Sequence, residues 1–341
     1  MYKTILITGG AGYIGSHTSY LLNQLGYKII IIDKFVHNQN FNQPWAKLIK
    51  ADIADQNILN QVFAENKIHA IMHFAAFIEV GESVKKPKEF YENNVSKTLN
   101  LLNTMLIFGI NKFIFSSSCA IYGNPTNIPI DENHQFAPIS PYGKNKLCVE
   151  FILQDYAKTY DLKYVSLRYF NAAGALPKYN LGEQHDPETH IIPLMLRAIK
   201  NNDVFKIFGS DYKTNDGTCI RDYIHVLDIA QAHILALKYI EERNQSNSFN
   251  LGSEKGYSVK EMIQEAENIC NKKMNSKIYD RRPGDVDVLI ADSTKIKTIL
   301  GWKPKYSDLK FILKSAWKWE CKNIFPMKKS ASLKNLKTMY N

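Results

Sequence analysis

The sequence predicts an α/β fold, a doubly wound parallel sheet followed by a second, smaller α/β domain, and three observations carry that expectation. Apolar runs of strand length alternate with stretches of helical period through the first half of the chain, a glycine-spaced turn follows the first run, and the rhythm breaks after residue 171.

The runs are "TILITG", "KIIIID", "KLIKADI", "AIMHFAA", "KFIFSSS" and "KYVSLRYF". Strands that are apolar on both faces must be covered on both, a condition met by a parallel sheet with helices on either side. Most intervals hold helical patterns, such as "SHTSYLLNQLG", "NILNQVFAEN" and "VSKTLNLLNTMLIFG". Beyond residue 171, "GALPKYNLGEQHDPETH" reads as a long loop rich in Gly, Pro and polar residues, and shorter patterns follow it. The expected organisation is a first domain over 1–171, a second over 172–326 and a flexible basic tail over 327–341.

Composition narrows the function classes. With 341 residues, 45% apolar and 22% charged, the chain is an ordinary globular one that can bury a sizeable core. No apolar run approaches the ~20 residues of a membrane span. The opening "MYKTILITGG" lacks the charged start, long apolar core and cleavage site of a secretory leader, so a cytoplasmic location is expected. Five scattered cysteines without a C-x-x-C pair suggest neither a disulfide framework nor a zinc site, and no metal is expected. The formal charge of +10 suits a phosphate-bearing ligand, whereas no RNP-type strand or finger spacing points to nucleic acid.

"ILITGGAGYIGSHTSYLL" sets Gly9, Gly12 and Gly15 three residues apart between an expected strand and an expected helix. Without a Cβ the backbone can turn tightly and approach a pyrophosphate, whose charge then faces the helix N-terminus, as in a Rossmann fold. Taken alone, the glycines fit an ordinary strand-to-helix turn equally well. The next strand adds Asp33 where a ribose-binding acid is expected. A carboxylate there accepts from the adenosine 2′-OH and repels a 2′-phosphate, which favours NAD over NADP, although the adjoining Lys34 could attract such a phosphate. Asp52 and Ile53 close the third strand, where Asp52 either meets the adenine amino group or caps the following helix.

"SPYGKNK" places Tyr142 and Lys146 four residues apart. Spacing alone decides nothing, because Tyr306 and Lys310 in "YSDLK" repeat it. Only Tyr142 follows a strand ending in a hydroxyl cluster, "FIFSSSCAIYG", on a helix that puts Tyr142 and Lys146 on one face. With an unperturbed pKa near ~10, about one phenol in a thousand is ionised at pH 7. The expectation is that the Lys146 ammonium, together with the charge of an oxidised nicotinamide, stabilises the phenolate by about 4 kcal/mol and makes Tyr142 a base toward a substrate hydroxyl.

The stretches "TGGAGYIGSHT", "HFAA..VGES", "SSSCAIYG", "SPYGKNK", "LRYFNAAGA", "DGTCIRDYIHV", "FNLGS" and "RRPGD" follow one another in a familiar order. From about residue 3 to about residue 320 the chain resembles the extended short-chain dehydrogenase/reductase family, and within it the members that invert C4 of UDP-hexoses. The resemblance implies that UDP-glucose and UDP-galactose are interconverted by NAD-dependent C4 oxidation, turning of the 4-keto sugar and re-reduction. It makes Ser118 the orienting hydroxyl, Tyr142 the base and Lys146 its activator. It places cofactor contacts at Tyr13, Ile14, Asp33, Asp52, Ile53, Phe74, Ala75, Asn93 and Phe170, and UDP-hexose contacts at Asn171, Phe208, Arg221, Arg282 and Asp285. It also implies a homodimer formed through helices around residues 88–108 and 141–160.

Three departures from the family pattern bear on the site. Ile78 stands where some members carry a lysine that reaches the cofactor, and His190 replaces an asparagine; its imidazole either donates to a phosphate or the uracil region or is a solvated loop side chain. Leu289 occupies the place of a bulky tyrosine near the sugar 2-substituent, which leaves room for N-acetylated UDP-hexosamines. Two other readings stay open: a nucleotide-sugar 4,6-dehydratase or decarboxylase on the same scaffold, and a sensor that binds NAD and UDP-sugar without turnover. Against a dehydratase, Cys119 and Ala120 stand where such enzymes place an Asp-Glu pair.

Overall fold

The computed structural model describes residues 3–35, 43–282 and 285–322, so the expected tail over 327–341 lies outside the described residues. Six strands form in the first half: β1 (Thr4–Thr8), β2 (Lys28–Asp33), β3 (Ala46–Lys50), β4 (Ile68–His73), β5 (Lys112–Ser118) and β6 (Lys163–Tyr169). Helices α1 (Tyr13–Gln24), α2 (Gln56–Glu65), α3 (Val80–Lys85), α4 (Pro87–Tyr91), α5 (Lys97–Ile107) and α6 (Pro141–Thr159) connect or flank them, with a π-helical turn over Glu92–Ser96 joining α4 to α5. Alternation along each strand sorts the core into two layers. Ile5, Ile7, Ile29, Ile31 and Met72 face one side, while Leu6, Ile30, Ile32, Ile71 and Phe113 face the other. Each fully buried aliphatic side chain of this kind contributes ~1.5–3 kcal/mol, so both faces need a helical cover.

The second half contains β7 (Asn171–Ala173), α7 (Ile191–Asn201), β8 (Phe205–Phe208), β9 (Ile220–His225), α8 (Val226–Arg243), β10 (Asn247–Leu251), β11 (Gly256–Ser258) and α9 (Val259–Cys270). It ends with β12 (Ser276–Tyr279), β13 (Val288–Leu289), α10 (Thr294–Leu300) and α11 (Leu309–Lys322). A small sheet in the order β11-β9-β13, with β7 also paired to β9, and a separate β8-β12 pair make up this region. Its core gathers Met195, Leu196, Ile199, Met262, Ile312 and Leu313.

The main sheet has seven strands in the order β10-β6-β5-β4-β1-β2-β3, all paired in parallel. This corrects the expected division at 171/172. Residues 226–251 return to the first layer, with β10 in register beside β6 and Ile229, Ala232 and Leu237 of α8 packed into the core that holds Ile7 and Leu22 of β1 and α1. Without β10, β6 would be an edge strand with unpaired backbone groups. Strand order reverses between β1 and β4, and the crevice outside their C-terminal ends is where such sheets bind ligands. No helix among the described residues is long and apolar enough to cross a membrane.

Candidate active site

The glycine turn lies at that crevice. Gly9 has φ +71°, and a Cβ on it would fall 2.5 Å from the Ala75 nitrogen, so β1 and β4 meet closely only because residue 9 is glycine. A Cβ on Gly15 would fall 2.4 Å from the Gly9 oxygen. A Cβ on Gly12 would press on one atom, the Gly9 oxygen at 3.2 Å, and meet nothing else within 4 Å, so glycine keeps this side of the turn clear for a ligand. Gly12 caps α1 without a side chain, and no acid sits in the first turn, so the helix start around Tyr13 and Ile14 favours an anion. Asp33 fixes the turn by accepting from the Ala11 nitrogen at 3.0 Å and the Phe35 nitrogen at 2.7 Å. These residues fit a dinucleotide: an open glycine turn for the pyrophosphate and an acid at the end of β2 for a ribose.

Beside them, the Lys97 ammonium lies 2.6 Å from Asp52 and that of Lys34 lies 3.3 Å from it. Burial raises the Asp52 pKa, but the Lys97 hydrogen bond and the Ala54 nitrogen outweigh it and hold the carboxyl below its ordinary range. Lys34 is therefore engaged by Asp52. Ile53 is buried, and its carbonyl accepts from Asn100 at 3.0 Å. Phe74 continues β4 by bonding the Thr8 carbonyl at 2.9 Å. Asn93 is half-buried on the π-turn, while its neighbour Asn94, which the sequence reading passed over, ties both the nitrogen (2.8 Å) and the carbonyl (3.0 Å) of Phe77. Ile78, in the same loop, donates its nitrogen to Glu79.

Ser118 ends β5, where its hydroxyl accepts from the Ala120 nitrogen at 3.1 Å. Ser140 and Pro141 start α6, with the serine hydroxyl accepting from the Gly143 nitrogen at 3.1 Å, and this places Tyr142 in the first turn. Ser118 hydrogen-bonds the Tyr142 phenol, and Lys146, one turn on, lies 5.7 Å from the Tyr142 ring centre. The Lys146 ammonium donates to the Ser116 carbonyl at 2.8 Å and stands 5.0 Å from the Phe115 ring centre. Three residues from two elements thus converge.

Their electrostatics differ from the expectation. Burial pushes Tyr142 up to about 12, and the Ser118 bond opposes it only in part. Burial likewise pushes Lys146 down to about 7, opposed by Glu150. In the chain alone, burial therefore keeps the phenol protonated.

Lys146 also carries a stability cost with a definite pH window. Its folded-state pKa lies below the ordinary 10.5, so between about 7 and 10.5 the unfolded chain holds a proton that the folded chain does not. Stability from this group accordingly rises with pH across that window, and the full penalty is present at pH 7 and below. Lys146→Met, losing the Ser116 bond but also the buried charge, is expected to stabilise the fold at pH 7 by roughly 1–3 kcal/mol. Urea unfolding of both proteins from pH 7 to 10 tests this, with the gain shrinking as pH rises.

Behind the trio lies a polar network that the sequence reading missed. Glu150, a further turn along α6, accepts from the Ser117 hydroxyl at 2.5 Å and from Arg168 of β6 through Nη2 at 2.6 Å and Nε at 3.0 Å. Arg168 also donates to the Tyr122 hydroxyl at 2.9 Å, which donates to Asn250 of β10 at 2.7 Å. The available signal was the spacing 142, 146, 150, which puts Glu150 on the same helix face as the other two.

On the substrate side, Asn171 donates to the Asp222 carbonyl at 2.8 Å and Phe170 is buried beside Ile121 and Tyr122. Arg221 forms an ion pair with Asp285, which also accepts from the Tyr212 hydroxyl at 3.1 Å. The Arg282 guanidinium lies 4.2 Å from the Phe208 ring centre. Leu289 pairs in register with Arg221 and packs against the cluster holding Phe170. His190 is bonded to Glu183. Cys119 is half-buried, and desolvation pushes its thiol up to about 12, which makes it a poor acid or nucleophile at neutral pH.

The chain belongs to the NAD dependent epimerase/dehydratase family, whose family model matches residues 5–252. Among its relatives, the UDP-glucose 4-epimerase of Rhizobium leguminosarum bv. trifolii is 48% identical over 94% of this chain and 98% of the relative. That of Lacticaseibacillus casei is 45% identical over 93% and 96%. The crystal structure of UDP-glucose 4-epimerase from Brucella ovis in complex with NAD superposes with a TM-score of 0.89 at 43% identity, covering 92% of this chain and 97% of that one. The UDP-Glc/GlcNAc 4-epimerase from Campylobacter jejuni gives a TM-score of 0.81 at 41% identity, covering 94% and 100%.

Proposed function

We propose that this chain is an NAD-dependent isomerase that interconverts UDP-glucose and UDP-galactose. The convergence of Ser118, Tyr142 and Lys146 beside the open glycine turn is the observation that carries this reading. Near-full-length identity to UDP-glucose 4-epimerases supports it.

Tyr142 takes the proton of the sugar C4 hydroxyl through its phenol oxygen, oriented by Ser118. NAD, held at Gly9, Gly12, Gly15 and Asp33, supplies when bound a reversible acceptor for the C4 hydride. Burial, opposed in part by the Ser118 bond, holds Tyr142 up at about 12 in the chain alone, and the positive charge of an oxidised nicotinamide, when bound, would favour its phenolate. Arg221 and Arg282 hold the diphosphate, for which planar guanidinium groups are suited. His190 donates to the same diphosphate. With affinity concentrated on UDP, the hexose is free to turn about its diphosphate link and present the other face of C4, after which Tyr142 returns the proton.

A dehydratase needs an acid and a base after the hydroxyl residue, and the Cys119 thiol, pushed up to about 12, and Ala120 supply neither. Purified protein given UDP-galactose without added NAD is expected to form UDP-glucose. Binding of the sugar nucleotide without turnover would establish the sensor instead.

Pocket breadth is the finer part of the proposal. Leu289 replaces a bulky side chain beside Arg221 and Phe170, and the C. jejuni relative is named for both Glc and GlcNAc. UDP-GlcNAc and UDP-GalNAc are therefore taken as further substrates. Leu289→Tyr is expected to cut kcat/KM for UDP-GalNAc by at least ~10-fold while sparing UDP-galactose. Equal loss on both sugars would refute the assignment.

The working form is a cytoplasmic homodimer joined through the α4–α5 segment and α6. Ile107, 75% exposed, and Phe151, 48% exposed, offer apolar surface on those helices. Sedimentation at micromolar concentration distinguishes the dimer from a monomer.

A further inference from the structure

The segment Glu183 to His190, "EQHDPETH", holds a side-chain cluster that the proposed reaction leaves unused apart from one imidazole nitrogen. One donor atom from each of Glu183, His185, Glu188 and His190 lies within 4.8 Å of every other. His185 Nδ1 is 3.3 Å from Glu183 Oε1 and 3.8 Å from Glu188 Oε1, and His190 Nδ1 bonds the same Glu183 oxygen. Donors set 2.0–2.2 Å from a tetrahedral Zn²⁺ lie roughly 3.3 Å apart, so small inward adjustments would complete a shell.

The seat of this cluster is held from outside. The Trp319 indole donates to the Glu183 carbonyl at 2.9 Å, and a Cβ on Gly182 would fall 2.2 Å from the same ring. Arg197 pairs with Glu188 at 3.5 Å and so supports it from behind, as outer-shell partners of metal ligands do. Two imidazoles with two carboxylates are a donor set for zinc-type ions rather than for Mg²⁺ or Ca²⁺, which prefer oxygen alone. Charge also balances, since two carboxylates and two neutral imidazoles cancel a dication.

We propose that Glu183, His185, Glu188 and His190 form a binding site for one zinc-type divalent cation, which clasps this loop onto the start of α7. Coordination through His190 Nδ1 leaves Nε2–H as a donor, so the ion would also aim His190 at the diphosphate. That second role rests on the proposed substrate; the metal site does not.

The same four groups could instead be satisfied as an ion cluster of protonated imidazoles and carboxylates, and Co²⁺ spectroscopy separates the two. Untagged full-length protein, stripped with EDTA and dialysed, is titrated with Co²⁺ alone. The expected result is the visible absorption of four-coordinate Co²⁺, saturating at one ion per chain and abolished by Zn²⁺. His185→Ala and Glu183→Gln, checked for wild-type circular dichroism, are each expected to lose it. No visible band in the wild-type protein overturns the proposal, whatever the variants do. So does a band that survives in both folded variants, or a thiolate charge-transfer band, which would place the ion on a cysteine. None of these readouts depends on turnover of a UDP-sugar.

Discussion

Tyr142→Phe lowers kcat for UDP-galactose by about 10²–10⁴-fold, the range that loss of a positioned acid-base group produces, and leaves KM near the wild-type value. The phenol is the acid-base group that Ser118 and the first turn of α6 present at the site, beside Lys146, whereas substrate affinity is assigned to Arg221 and Arg282 on other elements. Loss of the hydroxyl therefore removes proton transfer without disturbing the anchor. Arg221→Ala gives the opposite signature, a raised KM for UDP-galactose, because on the proposed assignment its guanidinium holds the diphosphate in ground state and transition state alike. Steady-state kinetics on the two variants separates the roles. A Tyr142→Phe enzyme with wild-type kcat would remove the phenol from the chemistry.

Glu150→Ala destabilises the fold by about 3–5 kcal/mol, the cost of leaving a buried charge without its partner. Glu150 and Arg168 have side chains only 1% and 4% exposed, and their bidentate contact joins α6 to β6. Removal of the carboxylate strands the guanidinium and releases the Ser117 hydroxyl next to Ser118. A buried pair replaced as a unit behaves differently, so Glu150→Leu combined with Arg168→Met is expected to recover most of the loss. Urea midpoints for the single and double variants check this. A single variant as stable as the wild type would show that the Arg168 charge is compensated elsewhere.

Much of the fold was legible because the strands of a doubly covered sheet are continuous apolar runs. β1 to β6 fall where "TILITG", "KIIIID" and their successors placed them. β10 was not placed, since "NSFNL" is short and half polar, and its membership of the main sheet depends on a chain return that no local pattern encodes. The trio at 118, 142 and 146 was legible from helical spacing and the hydroxyl cluster. The direction of the Tyr142 and Lys146 shifts was not, because burial sets both and burial is a property of the assembled layers. The Glu150–Arg168 pair shows the same limit: each residue reads as an ordinary surface charge until β6 and α6 close over them.

On the proposed mechanism, C4 loses and regains the same hydrogen within one site while Tyr142 handles only the hydroxyl proton. UDP-galactose carrying deuterium at C4 tests it directly, with the product followed by NMR in ordinary water. Return of the hydride within one site yields UDP-glucose with the deuterium still at C4. Deuterium washed out into solvent, or the absence of UDP-glucose, would contradict it.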